Sequence, residues 1–231
     1  LWPMLMFRDF ILLAMWPLRR LKVVPPWPGS RNGRASALVG LAVIVAGFGL
    51  WQAVKVPDVR PMEVVLSDLP PALDGLTLVQ ISDLHASPLL KGPRVRRIVD
   101  KTNALKPDII VLTGDQIDGS VERRAEDVAP LADLRAPLGV LACVGNHEYY
   151  SGLDQWMSAF ERLGINVLRN RHVVLEKNGA KLALAGITDR AARGAGRPLP
   201  DVEVAFKGVP DGLTKILLAH RPNAVPEDRL Y

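Results

Sequence analysis

Asp83 and His85, Asp115 and Asp118, Asn146 and His147, and the lone His220 are the residues of this 231-residue chain whose types could do chemistry together. Carboxylate oxygen, imidazole nitrogen and amide oxygen make a hard-to-borderline donor set, suited to Mn, Fe or Zn and poorly suited to a soft, thiolate-seeking metal. Two such ions roughly 3.5–4 Å apart can hold a water between them, lower its pKa and clamp the attacking and leaving oxygens of an in-line displacement at phosphorus. That chemistry needs one carboxylate shared between the ions and donors drawn from distant parts of the chain.

The elements that must position these residues are legible beside them. Residues 76–81, 108–112, 139–144 and 215–219 are short apolar runs rich in β-branched side chains, and each stops at one of the polar clusters. Such runs read as buried strands. In an open α/β sheet, ligands gather in the crevice outside the carboxyl ends of the strands, so clusters far apart in sequence can converge there. Between the strands, Pro93 can open a helix whose face carries Val95, Ile98, Val99, Thr102 and Leu105 before Lys106-Pro107 ends it. Further helices are expected at 121–134 and 153–163, strands at 62–66 and 165–168, and a hairpin from 173–176 through Lys177-Asn178-Gly179 to 180–184. The alternation argues for an α/β fold with some antiparallel character. The Gly-, Arg- and Pro-rich stretch 191–200 is expected to be a mobile loop, and there is no internal repeat.

Read as a set, D-x-H at 83–85, G-D-x-x-D at 114–118, G-N-H-E at 145–148 and His220 resemble the motifs of the calcineurin-like metallophosphoesterase superfamily, over residues 63–231. The resemblance implies two mixed β-sheets packed as a sandwich and flanked by helices. It also implies two divalent ions: Asp83 and His85 on the first, Asp115 bridging, Asn146 and His220 on the second. His147 would be the non-ligand histidine that steadies the transition state or protonates the leaving group, with Asp118 orienting its ring. One family motif, a final G-H-x-H giving each metal one more histidine, is absent, because the four histidines are His85, His147, His172 and His220. The resemblance therefore leads one to expect a short helix, a strand and that motif beyond Tyr231, and weaker metal binding without them.

Each cluster alone has a plainer reading. Asp83 and Asp115 could sit in turns, Asp118 could cap a helix, Asn146 could occupy a capping position, and His220 could simply end a strand. Only their joint order argues for a metal centre. His172 reads as an exposed strand residue. Asp189 follows a strand, where a loop could border the substrate, but a plain turn acid is an equal reading, and it is left out of the site. The single cysteine, Cys143, reads as a small buried hydrophobe and decides nothing about redox compartment.

The chain opens differently. Residues 35–54 carry no charge, and at 1.5 Å per residue such a helix reaches about 30 Å, the hydrocarbon thickness of a bilayer. Trp51 falls near its exit, where interfacial aromatics belong. The organisation expected is a basic juxtamembrane segment 1–34, with an interfacial helix in 1–18 and a Pro-rich loop at 25–30, then a transmembrane helix 35–54 and the phosphoesterase domain 55–231. Of the formal charge of +5, residues 1–62 carry +6 and the rest about −1. The basic balance therefore belongs beside the membrane, and no nucleic-acid partner is expected. Basic residues on the N-terminal side place that side in the cytoplasm and the domain outside the cytoplasmic membrane. A tethered site favours lipid-linked or envelope phosphoesters, mono- or diester. The competing reading is a non-catalytic, membrane-tethered binding module with a degenerate metal site, suggested only by the absent final motif.

Overall fold

The computed structural model describes residues 30–66 and 68–225, with isolated positions between 6 and 21. It divides into two compact units, Leu1–Lys55 and Val56–Tyr231. In the first, helix α1 runs Arg31–Val54; Ser30 caps it, its Oγ accepting the Gly33 N–H at 3.0 Å. Its stretch Ala35–Val54 is long and apolar enough to cross a membrane, and none of it is buried within the chain. The expected interfacial helix in 1–18 and the loop at 25–30 lie largely outside the described residues.

The second unit holds two sheets. Strands β1 (Leu78–Ile81), β2 (Ile109–Thr113), β3 (Val140–Cys143) and β4 (Asn166–Val167) form a parallel sheet in that order. Parallel neighbours need a crossover. Helix α2 (Gly92–Ala104) supplies the first, α3 (Val121–Val128) the second, and α4 (Asn146–Tyr150) with α5 (Leu153–Arg162) the third. Strands β5 (Arg171–Lys177) and β6 (Ala180–Gly186) pair antiparallel, and β7 (Thr214–Leu218) joins β6 in parallel, with α6 (Val202–Phe206) before it. The β5–β6 turn is Asn178-Gly179, both at positive φ (52° and 83°), the conformation that suits a tight hairpin.

The period-2 alternation of the strands decides how the layers stack. Ile109 and Val111 on β2 and Leu141 and Cys143 on β3 face Leu182, Leu184 and Leu218 of the other sheet. Their alternates Ile110, Leu112 and Ala142 face the helices, sharing one core with Val95, Ile98 and Val99 of α2 and with Trp156 and Phe160 of α5. The outer face of the second sheet packs Ala185 and Ile187 against Ala205 of α6. The result is the expected α/β sandwich flanked by helices.

Four local expectations need correction. Residues 62–66 form no strand: Met62, Val64, Val65 and Leu66 are exposed, because an apolar run without a hydrogen-bonded neighbour does not make a ladder. The segment instead lines, with edge strands β1 and β7, a groove of about 1190 Å³. The helix expected at 121–134 stops at Val128 and tightens into a 3-10 turn, Ala129–Asp133, where Pro130 has no N–H to continue it. Stretch 191–200 is tied down: Arg197 pairs with Asp154, and the carbonyls of Pro198 and Leu199 accept from Thr188 Oγ1 (3.0 Å) and Asn170 Nδ2 (2.7 Å). His172 is half-buried rather than exposed, with Nδ1 2.9 Å from the Ala205 carbonyl. Cys143 is buried as expected, and burial pushes its thiol up to about 12.

Candidate metal centre

The loops that leave β1, β2 and β3 meet His220, two residues beyond β7, at the carboxyl ends of the strands. Beyond β1 and β2 the chains keep pairing: Asp83, His85 and Ala86 donate their N–H groups to the carbonyls of Gly114, Asp115 and Gln116. This continued ladder holds two of the candidate ligand motifs side by side. It also forces Asp83, His85 and Asp115 to φ values of 54°, 46° and 54°, a left-handed conformation that non-glycine residues adopt at a cost of about 1–3 kcal/mol each. Strain of this kind persists where surrounding contacts over-determine it, and three such residues in one cluster mark a site.

Two glycines set the closeness of the loops. A Cβ on Gly114, at φ 86°, would lie 2.5 Å from Gly145 N and 2.9 Å from His220 Nδ1. On Gly145 it would lie 2.2 Å from Asp115 Oδ1. The glycines of G-D and G-N are thus required by backbone approach. Glu148 then stitches the two loops: Oε2 accepts from the N–H groups of Asp115 (3.0 Å) and Gly145 (2.7 Å), and Oε1 from that of Gln116 (2.8 Å). Burial pushes the Glu148 carboxyl above its ordinary value, and the three backbone donors offset part of that push.

Asp115 lies at the centre. Its buried carboxylate accepts the His147 N–H at Oδ1 (2.9 Å), while Oδ2 faces three ring nitrogens: His220 Nε2 at 3.2 Å, His85 Nε2 at 3.8 Å and His147 Nε2 at 3.9 Å. Burial would raise its pKa, but the hydrogen bonds from His220 and His147 and the charge of those rings hold it below the usual carboxylate range. The same bond, against some desolvation, raises His220 to about 9, helped by the Thr113 carbonyl that Nδ1 meets at 2.9 Å. His220 thus carries a proton on each nitrogen at neutral pH.

Asp118 does more than expected. Its Oδ1 lies 2.5 Å from His147 Nδ1 and 3.0 Å from His85 Nδ1, so one carboxylate fixes both rings with Nε2 pointing toward Asp115. Desolvation would lower His85, and Asp118, Asp115 and Asp83 together raise it. The two rings stand edge to face, their centroids 4.6 Å apart.

Atoms that could hold a metal ion cluster in two groups among the described residues, Asp83–Asp115–His220 and His85–Asp115–His147, the atoms of each within 4.8 Å of one another. Asp115 belongs to both. Asp83 Oδ1 is also 3.7 Å from His85 Nε2, the pairing expected from D-x-H. The geometric groups differ from the expected ligand sets in pairing Asp83 with His220 and His85 with His147 Nε2, where the expected first set joins Asp83 to His85; the Asn146 Oδ1 accepts from Arg221 Nη2. Glu148, Arg221 and Asp189 are the functional candidates that sequence reasoning missed. Glu148 stands in the quoted motif without a role, and Arg221 and Asp189 gain significance only through contact.

An α/β sandwich that gathers carboxylates and imidazoles at its strand ends defines a metal-site hydrolase architecture. The model of the calcineurin-like phosphoesterase family matches residues 76–230, and the chain belongs to that family. It is 35% identical over 205 residues to the "Transmembrane protein with metallophosphoesterase domain" of Danio rerio, an alignment covering 86% of this chain and 47% of the relative. It is 33% identical over 160 residues to the "Uncharacterized metallophosphoesterase YkuE" of Bacillus subtilis (strain 168), covering 68% and 54%. The chain spans about half the length of the curated relatives it matches. Among solved structures, a 5'-nucleotidase precursor from Thermus thermophilus aligns with 51% of this chain and 29% of its own, at TM-score 0.39 and 20% identity. The family's general chemistry, phosphoester hydrolysis with divalent metals, agrees with the donor set gathered here.

Proposed function

We propose that the protein hydrolyses a phosphomonoester or phosphodiester at a dinuclear metal centre held at a membrane surface. The observation that carries this reading is Asp115, which belongs to both donor groups and whose Oδ2 faces the ring nitrogens of His85, His147 and His220. Asp83 and His85 would hold the first ion, Asp115 both, and Asn146 and His220 the second. The donors fit Mn, Fe or Zn: two carboxylates, imidazole nitrogens, among them the His85 Nε2 that Asp118 leaves facing the site by holding Nδ1, and an amide oxygen. When bound, the ions supply Lewis acidity toward the phosphoryl oxygens and an acidified water.

The chain's own residues do the rest. Asp115 fixes the spacing of the donors, and the strained turns at Asp83, His85 and Asp115 pre-orient them. His147 is assigned the proton transfer: Asp118 holds its Nδ1–H, leaving Nε2 to protonate the departing oxygen. The same Nε2 is close enough to Asp115 to act as a ligand, and metal content separates the roles. A domain boundary near residue 55, with α1 as a single membrane span, accounts for the apolar helix, and a relative named as a transmembrane protein supports membrane association. The basic flank before α1 favours a catalytic domain on the outer face of the cytoplasmic membrane, where lipid-linked phosphoesters lie within reach.

Hydrolysis of a generic aryl phosphate, assayed after chelation and again after adding Mn, tests the reading. Turnover should vanish and return. Turnover indifferent to chelator would refute metal dependence, and a fully metal-loaded protein with no turnover on any mono- or diester would favour a binding module.

A further inference from the structure

Asp189 caps the 3-10 turn Arg190–Arg193 through Oδ1, which accepts the Ala191 N–H at 2.8 Å. Its other oxygen, Oδ2, is buried and has no hydrogen-bond partner among the described residues, although the residue is 1% exposed. A buried carboxylate left this way is costly unless a cation compensates it. Arg221 Nε stands 3.4 Å from that oxygen. The same guanidinium reaches Asn146 Oδ1 through Nη2, beside the donor cluster, and the Arg221 side chain is 39% exposed. Its backbone is set by its neighbours: His220 is pinned to Thr113, and Pro222 restricts the residue before it to the extended conformation observed, φ −118° and ψ 131°.

A guanidinium carries five N–H donors in a rigid fork matched to paired oxygens. Here two of its nitrogens are accounted for, one by a buried anion behind it and one by a neutral amide in front. An amide oxygen is a weak partner for a cation compared with a phosphoryl oxygen, whose charge-assisted bonds are roughly twice as strong. We propose that Arg221 is the arm that binds the substrate's phosphoryl oxygens, with Asp189 as the positioning residue that holds its Nε and aims the fork at the site. This rests on the phosphoesterase reading. Asn146 Oδ1 accepts from Nη2, and an Asn146 oxygen given to an ion would leave that arm of the fork to the incoming anion.

Calorimetric titration of Mn-loaded protein with inorganic phosphate, with Mn content measured alongside, tests the assignment. Arg221→Gln should weaken phosphate binding by about 10–100-fold at unchanged Mn content, since hydrogen bonds to charged groups contribute on that scale. Arg221→Lys should recover part of the loss, because it keeps the charge without the fork. Asp189→Asn keeps the acceptor for Ala191 but turns an amide toward the guanidinium. It should weaken phosphate in the same direction and raise KM more than it lowers kcat. A purely structural ion pair would instead lower the thermal midpoint in both variants and leave phosphate affinity at the parent value, which would overturn the assignment. Parent protein that hydrolyses aryl phosphate while Arg221→Gln matches its phosphate affinity sinks the Arg221 role alone. Metal-loaded parent that neither binds phosphate nor turns over substrate sinks the phosphoesterase reading and the arm with it.

Discussion

His220 Nε2 lies 3.2 Å from Asp115 Oδ2, and the two residues follow strands of different sheets, β7 and β2. Their contact joins the two sheets at the site and couples protons to metal. An ion that takes Nε2 must displace the proton there, and with His220 raised to about 9 that proton is present at neutral pH. Metal binding at pH 7 should therefore release a proton, read as a calorimetric enthalpy that changes with the buffer's ionisation heat, and affinity should climb with pH up to about 9. Buffer-independent heats would count against this coupling.

The same pair shapes the stability of the ion-free protein. Because the folded pKa of His220 lies above its ordinary 6.5, its contribution is complete below pH 6.5 and is lost as pH rises through about 9. Asp115, held low, contributes above its ordinary 3.8 and loses that as pH falls. Chelated parent should show a denaturation midpoint that drops between pH 6.5 and 9, and His220→Gln should flatten that drop. An equal drop in both proteins would assign it to other groups.

Glu148→Gln puts an amide where three buried N–H groups need an acceptor. Each donor left unpaired costs about 1–3 kcal/mol, so the denaturation midpoint should fall well beyond that of the exposed control Glu126→Gln. Comparable midpoints would show that the loops after β2 and β3 hold together without this carboxylate.

His147→Ala should reduce turnover by about 10²–10⁴-fold with metal content intact, the scale of general acid–base assistance. Loss of an ion alongside turnover would make His147 a ligand. Asp118→Asn should disturb both rings it holds, lowering metal affinity through His85 and turnover through His147.

Protease added outside intact spheroplasts should digest the domain after Lys55, since moving Arg19, Arg20, Lys22, Arg31 and Arg34 across a bilayer is the costlier alternative. A domain protected until lysis would reverse the orientation and move the substrate search to cytosolic or inner-leaflet phosphoesters.

What is legible in the sequence follows from period and punctuation. Ile109 to Leu112 announce a strand buried on both faces, and Gly114 and Gly145 precede their acidic and amide partners because no Cβ fits there. Asp83, His85 and Asp118 are readable as a site for the same reason. Contacts between distant elements are not. Nothing local distinguishes Asp189 from any turn acid, since its meaning is the guanidinium of Arg221 beyond β7. Glu148 reads as the tail of a motif until its oxygens are placed on three backbone donors. Residues 62–66 have strand composition yet no ladder partner, and composition alone does not reveal whether an edge is paired.

Metal stoichiometry measured with turnover in parent and Asp115→Asn tests the central claim, a carboxylate shared by two ions, most directly. The account predicts two ions per chain in active parent, fewer in the variant, and near-complete loss of aryl phosphate hydrolysis. Activity near the parent's in Asp115→Asn, or full turnover with a single ion bound, would contradict it.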